Sequence, residues 1–424
     1  MKFISQLYTN TKELLQNGIY VFLSNLLEKF TFFALFVLLA RFYPAKTYGI
    51  IIATFAFSNI LISFFEGGFN FYIQRLAATS EKDIPKYSSQ LLTLRIYLTI
   101  PYLAISIFYF FWSEGTDIVV CSIIAVTIAL FSFTNYFNSI FFGLKKYRAT
   151  FVFLSISRFL LIATFFLFFY SHLRTEIVVL SFIISAVVHL VLLVAYLNHS
   201  GIFIRIVKPK WMIIKPILKS SLPMGAGMIF VWIYDRVDTL VIQNFIGLEA
   251  VAFYAVAYSI YKAPQSLSNF LLTPLFSEYS SFYKTNKYIS KNNFYNKALI
   301  LAILAIAFSL PIYFFSANII VLLYKIKYLV SSPILMLLIF GLPGLLLNNL
   351  TGTTLNSSNN EKYVTISVFV VAVGNIIANF ILIYLYRSIY FAALVSIISE
   401  YLVFIIQLYF LYKLKVFSNN EGGL

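Results

Sequence analysis

Apolar residues arrive along this chain in long runs broken by short polar stretches, and the runs have the length needed to cross a bilayer. A hydrocarbon core of about 30 Å takes about 20 helical residues at 1.5 Å each. Runs of this kind fall at 17–41, 48–66, 91–112, 118–142, 151–170 and 177–197. A second set follows at 222–244, 251–276, 298–316, 329–351, 364–385 and 389–412. The pattern predicts an all-α integral membrane protein with about twelve transmembrane helices. Before the first run, Phe3, Leu7, Thr11, Leu14 and Leu15 recur at helical spacing, which reads either as a helix along the membrane surface or as a frayed tail, and not as a cleavable signal.

The polar breaks carry the sidedness. With the amino terminus placed in the cytoplasm, 21 of the 31 Lys and Arg residues fall on the cytoplasmic side, 6 on the opposite side and 4 inside spans. A missed or invented span would invert every later loop and destroy that bias, so the count supports both the span number and cytoplasmic termini. The longest central break, 199–221, sets Lys208, Lys210, Lys215 and Lys219 around Trp211, Ile214, Ile217 and Leu218, a basic amphipathic stretch suited to the anionic cytoplasmic leaflet. It divides the chain into a six-helix lobe at 1–198 and a second at 222–424. Leu39 to Phe55, LARFYPAKTYGIIIATF, aligns at an offset of 203 with Ile242 to Tyr258, IQNFIGLEAVAFYAVAY. Each pairs a span end, a short turn and an aromatic-rich helix start. Six spans per half is an even number, so the copies share one orientation and are expected to be related by a pseudo-twofold axis along the membrane normal, with a cleft between the lobes.

Composition agrees: 61% of residues are hydrophobic and only 11% charged, too few charges to solvate a soluble fold. The formal charge of +16 is scattered between apolar runs rather than gathered on one solvated face, so it marks topology and not nucleic-acid binding. Cys121 stands alone inside an apolar run, and His172, His189 and His199 lie far apart, so no metal site is expected. A membrane enzyme would need a catalytic surface outside the bilayer. Here the longest outer loop, about Ala317 to Tyr328, is short, and no phosphate-cradling Gly loop is visible.

Two segments resemble the flippases of lipid-linked oligosaccharides and polysaccharides, in the superfamily that also holds multidrug and toxin exporters. The first runs from Leu26 through LLEKFTFFALFVLLARFYPAKTYGII to FEGGFNFYIQRLAA at Ala78. The second is Leu218 to Ser281, where Asp238, Gly247 and Tyr254 match the acid, the Gly turn and the Tyr helix around the family's seventh span. Ala252 departs from the pattern, standing where a Gly is common, and the two further spans of the lipid II branch are lacking. The resemblance implies an exporter-type fold and a flippase of the bacterial inner membrane. Its cargo would be a polyprenyl-pyrophosphate-linked oligosaccharide, an O-antigen (lipopolysaccharide) or capsule repeat unit, moved by alternating access. Contact with membrane lipids and with other polysaccharide-assembly proteins would follow. The alternative within the same fold is a cation-coupled drug or metabolite exporter.

A charge at mid-bilayer costs about 2.5–3.5 kcal/mol on insertion scales, so those that remain need a reason. Eight stand inside the predicted spans and away from their ends: Glu28, Lys29, Arg158, Asp235, Arg236, Asp238, Lys262 and Glu400. The functional reading gives Lys29, Arg158, Arg236 and Lys262 the anionic head group, and Glu28, Asp235, Asp238 and Glu400 the coupling to a proton or sodium gradient, with no other cofactor. The structural reading is a set of buried ion pairs. Arg158, seven residues into its span, could also snorkel to the surface. His189 is read as a packing residue rather than a proton relay. Pro101, Pro264, Pro311 and Pro343 fall within spans as kinks or hinges. Tyr43, Tyr48, Phe111, Trp112, Tyr384 and Tyr386 are expected in the interfacial aromatic belts.

Overall fold

The computed structural model describes residues 2–171 and 174–418, except the side chains of 2–17, 223, 267, 269, 270 and 418. The repeating apolar positions of residues 1–16, the His172 side chain and the last six residues therefore lie outside the described part. The chain runs through α1 (Lys2–Phe42), α2 (Ala45–Glu66), α3 (Phe69–Thr79), α4 (Ile84–Trp112), α5 (Ile118–Gly143), α6 (Tyr147–Tyr170) and α7 (Thr175–His199). It continues through α8 (Trp211–Phe245), α9 (Leu248–Lys262), α10 (Gln265–Asn286), β1 (Ile289–Ser290), α11 (Lys291–Phe314) and α12 (Ser316–Tyr324). The last elements are α13 (Ser331–Leu338), α14 (Leu342–Ser357), α15 (Glu361–Tyr386), α16 (Ile389–Lys413) and β2 (Phe417–Ser418).

Among the described residues ten helical stretches are long and apolar enough to span a membrane, and α8, bent by 51° between Leu222 and Met224, makes an eleventh. Pro223 stands at that bend and removes a backbone donor. The twelve expected spans differ at 251–276, which is not one helix: it breaks at Ala263–Pro264 into α9 and α10. Pro343 opens α14 after a short 3₁₀ turn at Ile339–Gly341, so 329–351 is also divided, whereas Pro101 and Pro311 lie inside the continuous helices α4 and α11. The stretch read as the longest outer loop is instead α12 and a 3₁₀ turn, with Ile320, Tyr324 and Tyr328 fully buried.

Element boundaries repeat along the chain. α1 ends at Phe42 and α8 at Phe245; α2 begins at Ala45 and α9 at Leu248, each pair 203 residues apart. Later the separation is 214: Gly143 and Ser357 close α5 and α14, and α7 and α16 begin at Thr175 and Ile389 and end at His199 and Lys413. The register slips because α12 is an extra helix with no counterpart before α5.

The chain divides into two compact units. Unit 1 comprises residues 1–36 and 54–229. Its core is built from α3, α4, α5 and α7, with Phe69, Ile73, Leu91, Tyr136, Phe141 and Leu193 buried together. Glycine is required where α2 turns into α3: Gly68 has φ +74°, and a Cβ there would stand 2.3 Å from the Ser221 carbonyl oxygen. Cys121 is buried against Thr54 Oγ1 at 3.2 Å.

Unit 2 comprises 230–424 together with 37–53, the end of α1 and the start of α2. Here Gly49 lies so close to α9 that a Cβ would fall 1.8 Å from the Leu248 carbonyl oxygen. Cations at this end close off carbonyls that helix termini leave unpaired. Arg41 donates to Leu322 O at 2.8 Å, Lys327 to Tyr43 O, and Arg387 to Phe245 O. Burial, with Lys325 beside it, holds the Lys327 ammonium below the ordinary lysine range. Tyr48, expected in an aromatic belt, is a core residue packed edge-on to Tyr328, because its helix start is covered by this unit. Phe111, Trp112, Tyr384 and Tyr386 are exposed as a belt requires. At the opposite end, β1 and β2 form a two-residue parallel pair.

Candidate functional site

α9 presents Tyr254, Tyr258 and Lys262 at intervals of four, one stripe of a helix face, toward α8. Asp235 and Asp238, three apart on α8, meet that stripe in antiparallel order. Tyr258 donates to Asp235 Oδ1 at 2.9 Å, and Tyr254 donates to Asp238 Oδ2. Lys262 Nζ lies 3.3 Å from Asp235 Oδ1 and 3.1 Å from Glu400 Oε1 on α16, so the ammonium is held between two carboxylates. Asn348 of α14 donates to the other Glu400 oxygen at 3.0 Å. Gly344 allows this approach, because its missing side chain leaves the space where α14 meets the Cβ of Glu400 and the Tyr401 ring.

The two aspartates share a helix face, yet their surroundings differ. Asp235 sits among cations, with Arg236 Nε 3.2 Å from its Oδ2. Asp238 is 3% exposed and forms no ion pair among the described residues; it accepts from the Thr239 amide at 2.7 Å and from the Tyr254 hydroxyl, which in turn lies 3.0 Å from Ser396 Oγ. The Arg236 side chain is 38% exposed, the most open of the described cations on α8 and α9 that belong to the network. Deeper along α15 and α16, Asn379 donates to Asn375, which donates to Ser399, both at 2.9 Å.

In unit 1 Arg158 does not snorkel to the surface; of the readings above, the structure shows the buried ion pair. Its guanidinium is 3% exposed, 2.8 Å from Glu28 Oε1, and lies over the Phe32 and Phe131 rings at 4.9 and 5.4 Å. The aromatic faces and the carboxylate compensate the charge where it stands, so the side chain need not climb to the interface. Lys29, next to Glu28, is exposed. Glu28 and Asp235 each find a cation within their own unit. His189 is buried, and its Nε2 has no hydrogen-bond partner among the described residues.

A second buried network was not among the candidates. Arg95 of α4 is counted above with the cytoplasmic cations, but the structure buries it. It lies 3.1 Å from Glu66, donates to Asn70 Oδ1 at 2.7 Å and to Ser132 O at 2.9 Å, and covers the Tyr136 ring at 5.1 Å. Ser132 also donates to Glu66 at 2.7 Å. The available signal was that Arg95 falls inside the predicted 91–112 span and Glu66 closes another. The network fastens α4 and α5 to the α2–α3 turn.

The repeat makes the asymmetry plain. The positions 203 residues before Asp235, Asp238, Tyr258 and Lys262 hold Phe32, Leu35, Phe55 and Asn59, and the position 214 before Glu400 holds Ala186. Where unit 2 carries acids and bases, unit 1 has an aromatic cluster in which Phe32 packs on Phe182 and Phe131. The titratable network of α8, α9 and α16 therefore has no matching set of residues at the corresponding positions of unit 1.

Among solved structures, the lipid II flippase MurJ in an inward closed conformation matches with a TM-score of 0.71 at 18% identity, over 95% of this chain and 88% of that one. A multidrug resistance MATE family transporter of the MOP superfamily, inward-facing, matches with 0.74 at 15% identity, over 91% and 94%. An outward-facing MATE family structure gives 0.61 at 16% identity, over 95% and 96%. No curated protein matches in sequence. These likenesses show the exporter fold of that superfamily. The polysaccharide biosynthesis protein family matches residues 14–280, more than half of the chain and all of α2 through α9, and the chain belongs to that family.

Proposed function

We propose that the protein is a flippase that carries a polyprenyl-pyrophosphate-linked oligosaccharide, an O-antigen or capsule repeat unit, from the cytoplasmic to the outer leaflet of the bacterial inner membrane. The observation that carries this reading is the network on α8, α9 and α16. It holds Lys262 between Asp235 and Glu400, while Arg236, 38% exposed, meets Asp235 at its Nε. A guanidinium fork matches phosphate oxygens in pairs, so Arg236 is the cation best suited to a pyrophosphate. Lys262 acts through Asp235, whose second oxygen orients Arg236. Family membership supports the polysaccharide cargo.

Asp238 has a separate task in this reading. It is surrounded by hydroxyls and an amide and forms no ion pair among the described residues, so it can exchange a proton or a sodium ion without breaking a salt bridge. Coupling to the gradient runs through it, and binding and release of that charge bias alternating access. The same geometry favours the second reading, a cation-coupled exporter of drugs or metabolites, only if Arg236 proves dispensable.

The deciding experiment is complementation in a bacterium that lacks its own O-unit flippase. Restored surface polysaccharide is the expected result. Drug efflux from the same cells without restored polysaccharide would replace the reading with the exporter.

A further inference from the structure

Between α7 and α8, residues 202–210 form an extended segment laid along the first turns of α4. Ser89 Oγ accepts from the Arg205 amide and Thr93 Oγ1 from the Val207 amide, both at 3.0 Å. Gln90 accepts from the Lys210 amide at 2.7 Å and donates to Lys208 O at 3.4 Å. The match is geometric: Ser89 and Thr93 are one helical turn apart, about 6 Å, and two extended residues span about 6.6 Å. Ile202 and, after the turn into α8, Ile214 and Ile217 are buried. The segment is thus keyed in register, and its outward face is fixed.

That outward face has two ingredients. Phe203, Ile206, Trp211 and Met212 are exposed, Ile206 by 72% and Met212 by 90%. Interleaved with them, Arg205, Lys208, Lys210, Lys215 and Lys219 are all exposed, and none forms an ion pair among the described residues. No Asp or Glu occurs anywhere from Ile177 to Tyr234. Water does not suit four large apolar side chains, and the hydrocarbon core does not suit five cations. The layer that takes both is the bilayer interface, with aromatic and aliphatic groups at headgroup depth and ammonium groups on lipid phosphates.

We propose that the 202–219 face binds the headgroups of anionic phospholipids, and that Ser89, Gln90 and Thr93 of α4 hold it in the register this requires. The leaflet is the cytoplasmic one in the orientation proposed above; the binding itself does not depend on the cargo. Because the same segment leads into the bent α8, lipid occupancy fixes the position at which α8 enters the membrane.

The test uses the full chain in nanodiscs, with an environment-sensitive fluorophore on Met212→Cys; the native thiol, Cys121, is buried and takes no label. Nanodiscs of phosphatidylcholine alone are compared with nanodiscs that also contain phosphatidylglycerol. The expected result is a blue shift and quenching by headgroup-depth lipid quenchers that grow with the anionic fraction and fade at high salt. Each cation near an anionic surface contributes roughly five-fold in affinity, so Lys208→Gln/Lys210→Gln/Lys215→Gln should lose most of the shift. Gln90→Leu should lose it with all charges intact, and Lys284→Gln/Lys287→Gln should keep it. Equal emission in both lipids, or a triple variant that shifts like the parent, overturns the proposal. So does a shift that appears only when cytosolic protein is added, which would assign the face to a protein partner. None of these readouts uses transport, so failure here leaves the flippase reading standing and failure of complementation leaves this one.

Discussion

Single charges in this protein divide by what they touch. Lys262 is bound on both sides by carboxylates, and removing it leaves two acids facing each other in a buried site. Breaking such a buried pair typically costs about 3–5 kcal/mol. Lys262→Met is therefore expected to lower the yield and melting temperature of detergent-purified protein, whereas Arg236→Gln, at a half-exposed position, should fold normally and lose transport. Equal specific activity per folded molecule in Arg236→Gln and the parent would remove Arg236 from the cargo path. Asp238→Asn keeps the hydrogen-bonding shape toward Tyr254 and Ser396 but cannot titrate. Transport by that variant in proteoliposomes should no longer respond to a proton or sodium gradient, with head-group affinity little changed. A gradient response equal to the parent's would pass the coupling role to Glu400 or Glu28. These side chains were visible in the sequence because charge in an apolar run is costly and rare. Their partners were not: nothing along the chain says that Glu28 meets Arg158 across 130 residues, or that Arg95 is buried on Glu66 rather than solvated.

Helices and their junctions set where those side chains can go. The α2 start and the α9 start touch backbone to backbone, and Gly49 is the residue that permits it. A Gly49→Ala methyl would overlap the Leu248 carbonyl, so the helices must separate. Folded yield is expected to drop sharply, while Gly374→Ala on α15, where an added Cβ meets nothing within 4 Å, should fold as the parent does. Fluorescence-detected size-exclusion profiles of the two variants check this, and a normal profile for Gly49→Ala would contradict the contact. The repeat of 203 residues was readable in the aligned turn at Pro44–Lys46 and Gly247–Glu249. Its drift to 214 was not, because α12, nine residues long, is too short to read as a span and reads as the loop after one. The α9–α10 break falls at Pro264, which the sequence marks as a kink or hinge, although hydropathy alone carries one span through it.

At the scale of the molecule, the charge bias makes a prediction about sidedness. Reporter fusions should give cytoplasmic signals at both termini and at residue 210, and an extracytoplasmic signal at 210 would sink the arrangement of six spans on either side of the 199–221 segment. What the sequence by itself determined is the material of the protein: helices long enough to cross a bilayer, turns that recur 203 residues apart, the exporter-type fold and a short set of intramembrane charges. Each of these follows from local rules, since hydropathy, helical spacing and the cost of charge in hydrocarbon act residue by residue. Only the tertiary structure decided the pairing. It turned eight suspected charges into Arg158 with Glu28 in one unit and Lys262 between Asp235 and Glu400 in the other, left Asp238 among hydroxyls, and assigned residues 37–53 to the second unit. The physical reason is that an ion pair or a helix crossing is a property of two surfaces distant in sequence. Its energy depends on packing that brings them within about 4 Å, and no single stretch of chain contains that information.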